Sequence, residues 1–204
     1  AVEEMDVFVF TLGLTETWLS REDGAAYPLC PGTAGGTFNE ARHRFMNLRV
    51  SDVVADMQAA LGFIRARNKR VKFVLTVSPV PLVATAENRS ALVSTTYSKS
   101  VLRVACEEIA ADFDDVAYFP SYEIITGNYN RGRYFAPDLR SVTEDGVGHV
   151  MRLFMRHYAG EAVAAPAQPV PPVPEAATQS EQDAVVAGMA KVVAVMCDEE
   201  ILAR

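Results

Sequence analysis

The sequence predicts a three-layer α/β domain, with a mostly parallel sheet covered by helices on both faces. Three observations lead there. Short apolar runs that read as buried strands alternate with stretches whose apolar residues recur at steps of three and four. The connections between those runs are long enough to hold a helix, which makes neighbouring strands parallel. Half of the 204 residues are hydrophobic and 22% are charged, the balance of a globular domain.

Residues 7–14 (VFVFTLGL) are almost continuously apolar and read as a fully buried strand ending near Gly13. Residues 18–27 (WLSREDGAAY) centre on Asp23-Gly24, a hairpin signal, and Pro31-Gly32 and Gly35-Gly36 mark the loop that follows. His43 falls in a polar loop-to-helix stretch, FNEARHRFMN. Over residues 51–68, Val54, Met57, Leu61 and Ile64 line one face of a helix that Ser51 is placed to cap. Residues 71–77 (VKFVLTV) form a second strand, closed by Ser78-Pro79. Val101, Ala105 and Ile109 share a face of a helix beginning near Ser98, within which Cys106 reads as a small buried hydrophobe.

Residues 116–119 give a third strand, stopped by Pro120, and a long polar loop follows. The last helix of the domain spans residues 142–158. Ser141 and Glu144 are spaced as its capping box, and Val147, Val150, Phe154 and Tyr158 form its apolar face. A doubly wound sheet of three strands is thin where about five are usual, so a further strand is expected upstream of Ala1. The domain is assigned to residues 1–158. Residues 159–180, rich in Ala and Pro, read as a semi-extended linker. In residues 181–204 the stripe Val185, Met189, Val192 and Met196 predicts an amphipathic helix over 181–202, which either docks on the domain or binds a protein partner.

Composition narrows the function. A net charge of −7 and the lack of a Lys/Arg stripe with interleaved aromatics argue against nucleic acid. No apolar run reaches the roughly 18 residues needed to span a bilayer. Cys30, Cys106 and Cys197 are far apart, form no CxxC, and fit a reducing compartment, so a cytoplasmic location is expected. No residues have the spacing of a metal site, and Gly32 to Gly36 lacks the context of a phosphate loop, so no metal or cofactor is expected.

In open α/β sheets, ligands gather at the carboxyl ends of the strands. Three segments lie there: Gly13-Leu14-Thr15-Glu16, Ser78-Pro79-Val80-Pro81 and Pro120-Ser121-Tyr122-Glu123. A fourth, Pro137-Asp138-Leu139-Arg140-Ser141, leads into the last helix. Ser98 and Lys99, at the expected start of their helix, are placed to favour an anion. Gly13, Glu16, Ser78, Ser98, Lys99, Tyr122 and Glu123 are thus candidates for substrate binding.

The segments TLGLTETW (11–18), LTVSPVPL (75–82), YSKSVLR (97–103), YFPSYEII (118–125) and RGRYFAPDLRSVTEDGVGHVMRLF (131–154) resemble the GSCFA family, which is similar to SGNH/GDSL esterases and acyltransferases. The resemblance covers about residues 5–158. It implies a flavodoxin-like, SGNH-hydrolase-like sandwich and ester hydrolysis or acyl transfer on a small-molecule or glycan substrate. The serine of the family's name motif does not occur in this chain and is expected upstream. The resemblance places Thr15 where SGNH enzymes carry an oxyanion-hole Asn. It supplies Asp138 of the Asp-x-x-His element, but Ser141 stands in the histidine's place. His149, the next imidazole, is the remaining candidate base to act with Asp138. The rival expectation is a non-catalytic glycan-binding or assembly module on the same fold, which the serine at position 141 favours.

Overall fold

The computed structural model describes residues 2–158 apart from Ala34, together with Gly160, all within one unit of the chain, Ala1–Val163. The linker (Gly160 excepted) and the terminal helix expected from the sequence lie outside the described residues. Six strands and four α-helices follow in order: β1 (Val7–Leu12), β2 (Glu16–Ser20), β3 (Ala26–Tyr27), β4 (His43–Asn47), α1 (Val50–Arg67), β5 (Lys72–Val77), α2 (Ala91–Asp112), β6 (Val116–Tyr118), α3 (Ser121–Thr126) and α4 (Glu144–Tyr158). They form two sheets. The first has the order β1-β5-β6 and is parallel throughout; the second, β3-β2-β4, is antiparallel.

β5 is central because both its faces are apolar. Phe73, Leu75 and Val77 alternate onto the side that α1 and α2 cover, where they meet Leu61, Leu102 and Ile109. Val74 points the other way, into a smaller cluster with Phe119 and Ile124, against which α4 packs Val150, Leu153 and Phe154. Helices on both faces of a parallel sheet give the three-layer α/β architecture expected from the sequence.

Several local expectations are corrected. β1 is an edge strand: Val7 and Val9 are 51% and 47% exposed, because among the described residues no strand pairs with its outer edge. α1 begins one residue before Ser51. Its first turn is held by the Asp52 carboxylate, which accepts from the Arg49 backbone N–H at 2.9 Å. α2 begins at Ala91 and not near Ser98; Ser90 caps it by accepting from Leu92 N–H. The residues of FNEARHRFMN that read as polar loop contain β4, which pairs with β2 from Ser20↔His43 to Glu16↔Asn47. At α4 the cap is Thr143, whose hydroxyl accepts from Gly146 N–H, and Ser141 bonds to Asp138 instead. Val147 is 51% exposed. Gly146 takes the inward place, where a Cβ would lie 3.0 Å from Tyr134 Cβ and from Val142 Cγ1, so the helix approaches the Tyr134 loop more closely than any other residue allows.

Candidate functional site

At the carboxyl end of β1 the chain turns out of the parallel sheet into the antiparallel one, and the turn is clamped from two sides. Thr15 is fully buried. Its backbone N–H donates to Ser98 Oγ at 2.8 Å, its carbonyl accepts from Leu48 N–H at 2.9 Å, and its hydroxyl donates to Asn47 Oδ1 at 2.7 Å. Asn47 in turn donates through Nδ2 to Glu87 Oε1 at 3.1 Å, which fixes the orientation of its amide. Glu16 holds the loop between β5 and α2: its carboxylate accepts from the Thr85 hydroxyl and from Ala86 N–H.

Ser98 and Lys99 do not open their helix. They lie mid-way along α2, buried, on the face turned to the end of β1. Lys99 is 2% exposed, and its ammonium donates to the Gly13 carbonyl at 2.7 Å. Burial pushes its pKa down to about 8. Interior positions of a helix have no free backbone N–H groups, so the anion-favouring helix start expected there is absent.

Asp138 and its neighbours form an exposed turn. Asp138 Oδ1 accepts from the backbone N–H groups of Arg140 and Ser141, and Oδ2 accepts from the Ser141 hydroxyl at 2.6 Å. These bonds, the hydroxyl's first, hold the carboxyl down at about 2. Arg140 reaches from this turn to the strand-end loop after β5, donating through Nη2 to the Pro81 carbonyl at 3.2 Å. Arg140 Nε is buried and has no hydrogen-bond acceptor among the described residues. Ser78, in the loop that Arg140 meets, donates its N–H to Leu12 O at 2.9 Å and accepts Val80 N–H on its hydroxyl.

His149 is engaged elsewhere. Its Nδ1 is hydrogen-bonded to the hydroxyl of Tyr134, a residue 1% exposed, and that hydroxyl accepts from Arg133 Nη2 at 2.7 Å. A hydroxyl has one proton and two lone pairs, so the bond to Nδ1 runs in either direction while the guanidinium donates to the same oxygen. Nδ1 is taken up by this bond, which leaves Nε2 as the ring nitrogen outside it. Burial first, then the charges of Arg152 and Arg133, lower its pKa. Among the described residues no hydrogen bond joins Asp138 to His149, so the pair expected from the sequence is not assembled in this arrangement.

Tyr122 and Glu123 serve the scaffold. Tyr122 packs against the larger core cluster. Glu123 accepts from the Tyr118 hydroxyl and from Arg103 Nε at 2.8 Å, tying α3 to β6 and α2. Burial and the adjacent Glu123 raise the Tyr118 pKa.

The strand-end loops, the polar clamp and the Asp138 turn all fall within the part of the chain that a known family describes. The model of the GSCFA family matches residues 1–154. The chain belongs to the GSCFA family. No curated protein matches it. In this GSCFA domain the partners that organise the site, Asn47, Glu87, Tyr134 and Arg140, were missed by sequence reasoning. Asn47 and Glu87 lie 32 and 72 residues from Thr15 in the chain, and nothing local marks them. Arg140 lies in the 131–154 segment, two residues after Asp138.

Proposed function

We propose that this domain is the acyl-handling part of an SGNH-like esterase or O-acyltransferase. Its substrate is an acylated compound of carbohydrate type, and its nucleophilic serine comes from upstream of Ala1. Membership of the GSCFA family supports the fold-level side of this reading. The observation that carries it is the bond from Arg140 Nη2 to the Pro81 carbonyl. It ties the Asp138 turn to the loop that leaves the carboxyl end of β5, the end at which an open α/β sheet receives ligands. Asp138 stays ionised at neutral pH, as an acceptor aligned by Ser141 and two backbone donors. His149 keeps Nε2 outside its bond to Tyr134, as the ring nitrogen with which it meets substrate.

A serine-directed fluorophosphonate tests the proposal. A polypeptide extended upstream to include the serine reacts with it, and the 204-residue chain does not. Labelling of the 204-residue chain at one defined serine moves the nucleophile into this chain. No labelling of the extended protein removes the catalytic reading. His149→Ala in the extended protein separates the role of the imidazole: unchanged turnover takes it out of the mechanism.

A second reading, a non-catalytic glycan-binding or assembly module, is favoured by one specific observation. Ser141 occupies the hydrogen-bonding place on Asp138 that a relay histidine takes in a triad, and an unassisted hydroxyl is a poor base at neutral pH.

A further inference from the structure

Lys99 is the least expected side chain in the domain. It is 2% exposed, lies in the middle of α2 and forms none of the ion pairs found among the described residues. A buried ammonium without a carboxylate is costly. What it holds is one peptide group, through the 2.7 Å bond to the Gly13 carbonyl. The residues on either side of that peptide are also fixed. The Leu12 carbonyl accepts from Ser78 N–H at 2.9 Å, and Thr15 is bonded through its N–H, carbonyl and hydroxyl.

The peptide between Gly13 and Leu14 is trans, as are all those described. In a trans peptide the C=O and the following N–H point in opposite directions within one plane. A Gly13 carbonyl aimed at α2 therefore aims the Leu14 N–H away from α2. The chain is not packed over at this peptide: a Cβ on Gly13 would meet nothing within 4 Å, and Leu14 is 39% exposed. No protein acceptor meets the Leu14 N–H among the described residues. The ammonium also polarises the peptide it holds, which strengthens the donor at its other end.

We propose that the Leu14 N–H is an oxyanion donor of this site and that Lys99 is the residue that positions it. The inference rests on the acyl-transfer reading above and replaces the hydroxyl of Thr15, which is committed to Asn47. The ligand class is the carbonyl of an ester. As the serine oxygen bonds to the carbonyl carbon, the C=O electron pair moves onto oxygen and the serine proton goes to a base. The tetrahedral intermediate then collapses, its C–O bond to the leaving alcohol breaks, and that alcohol takes the proton. A donor fixed before the reaction stabilises the charge without having to reorganise.

The test uses the extended, serine-bearing protein with p-nitrophenyl acetate and a fluorophosphonate as probes. In one variant the α-hydroxy acid of leucine takes the place of Leu14, which turns the amide into an ester, deletes the N–H and weakens the Gly13 carbonyl that Lys99 holds. In another, Lys99→Met removes the ammonium at similar length. The ester variant is expected to lose a factor of about 10² to 10³ in kcat and in the labelling rate, with KM unchanged. Lys99→Met lowers kcat in the same direction, by less, with KM unchanged. An ester variant that turns over and labels at the wild-type rate overturns the inference and leaves the esterase reading standing. A wild-type protein that neither hydrolyses the ester nor labels overturns both. If Lys99→Met fails to fold, the ester variant still decides.

Discussion

The clamp at the end of β1 and the turn before α4 are made of the same chemistry: hydroxyls, a carboxylate and backbone amides. They differ in where their partners come from. Thr15, Glu16 and Lys99 bond to groups 32 to 86 residues away in the chain. Asp138 bonds to residues two and three positions on. The clamp is buried and the turn is exposed, and the two facts are linked. A buried polar group left without a partner costs about 1–3 kcal/mol, so burial demands a complete network assembled from distant elements. An exposed carboxylate has water as an alternative and needs only its neighbours. The clamp should thus respond to substitution and pH as a structural unit, and the turn as a local device.

The largest expected contrast comes from Lys99. Its pKa falls from 10.5 in the unfolded chain to about 8 in the folded one. Below the folded value the buried charge weighs fully against folding. Between the two values the unfolded chain binds more protons, so stability rises with pH. The interval corresponds to about 3 kcal/mol at 1.36 kcal/mol per unit. Denaturant unfolding of the wild type and Lys99→Met from pH 7 to 10 should show the variant's relative stability shrinking by an amount of that order. A difference that stays flat with pH means that the ammonium is solvated and the clamp is open.

Next comes Thr15→Val, nearly the same shape without the hydroxyl. It leaves Asn47 Oδ1 without its donor in a part-buried place and should cost about 1–3 kcal/mol in chemical denaturation. Ser141→Ala in the turn, which exposes Asp138 Oδ2 to water, should cost much less. Equal costs would erase the distinction between the two regions.

The same contrast explains what could be read from the chain. The parallel strands, the Asp23-Gly24 hairpin and the helices announce themselves through periodicity and turn chemistry, which are local. β4 does not. Its five residues, HRFMN, show no clean alternation, and they are a strand only because β2 lies beside them. The start of α2 is hidden for a related reason. Ser94, Thr95 and Thr96 look like loop, yet Ser94 faces inward and accepts from Arg89 Nε at 2.9 Å. In the site, Asp138 and its turn were visible from Pro137-Asp138 and the spacing to Ser141. The true neighbours of Thr15 and His149 were not, because a hydrogen bond between residues far apart in the chain leaves no mark on either segment.

His149 lies between the two regions, half-buried and bonded to a tyrosine 15 positions back. Burial, Arg152 and Arg133 depress its pKa, while Asp145 opposes them. An NMR titration of its ring protons should place the midpoint below the ordinary histidine value of 6.5, and Arg152→Gln should raise it. Because the folded value is the lower one, the imidazole's contribution to stability is intact above 6.5 and declines as the pH falls through 6.5 toward the folded value. A midpoint at or above 6.5 means that burial and the two arginines do not govern the ring.

The smallest effect belongs to Asp138. The Ser141 hydroxyl and the backbone N–H groups of Arg140 and Ser141 lower its pKa from 3.8 to about 2. A carboxyl with a depressed folded value adds stability above its unfolded value and loses that contribution as the pH falls through 3.8 toward 2. Since the carboxylate is exposed, the loss should appear as loosening of the turn and not as unfolding. The Ser141 amide resonance is the reporter: it should shift with a midpoint near 2, and with a higher midpoint in Ser141→Ala, where the strongest of the three bonds is gone. If instead that titration unfolds the domain, the turn carries the fold as the clamp does. The Arg140–Pro81 bond would then be the way it does so, since it ties Asp138's loop to the loop after β5.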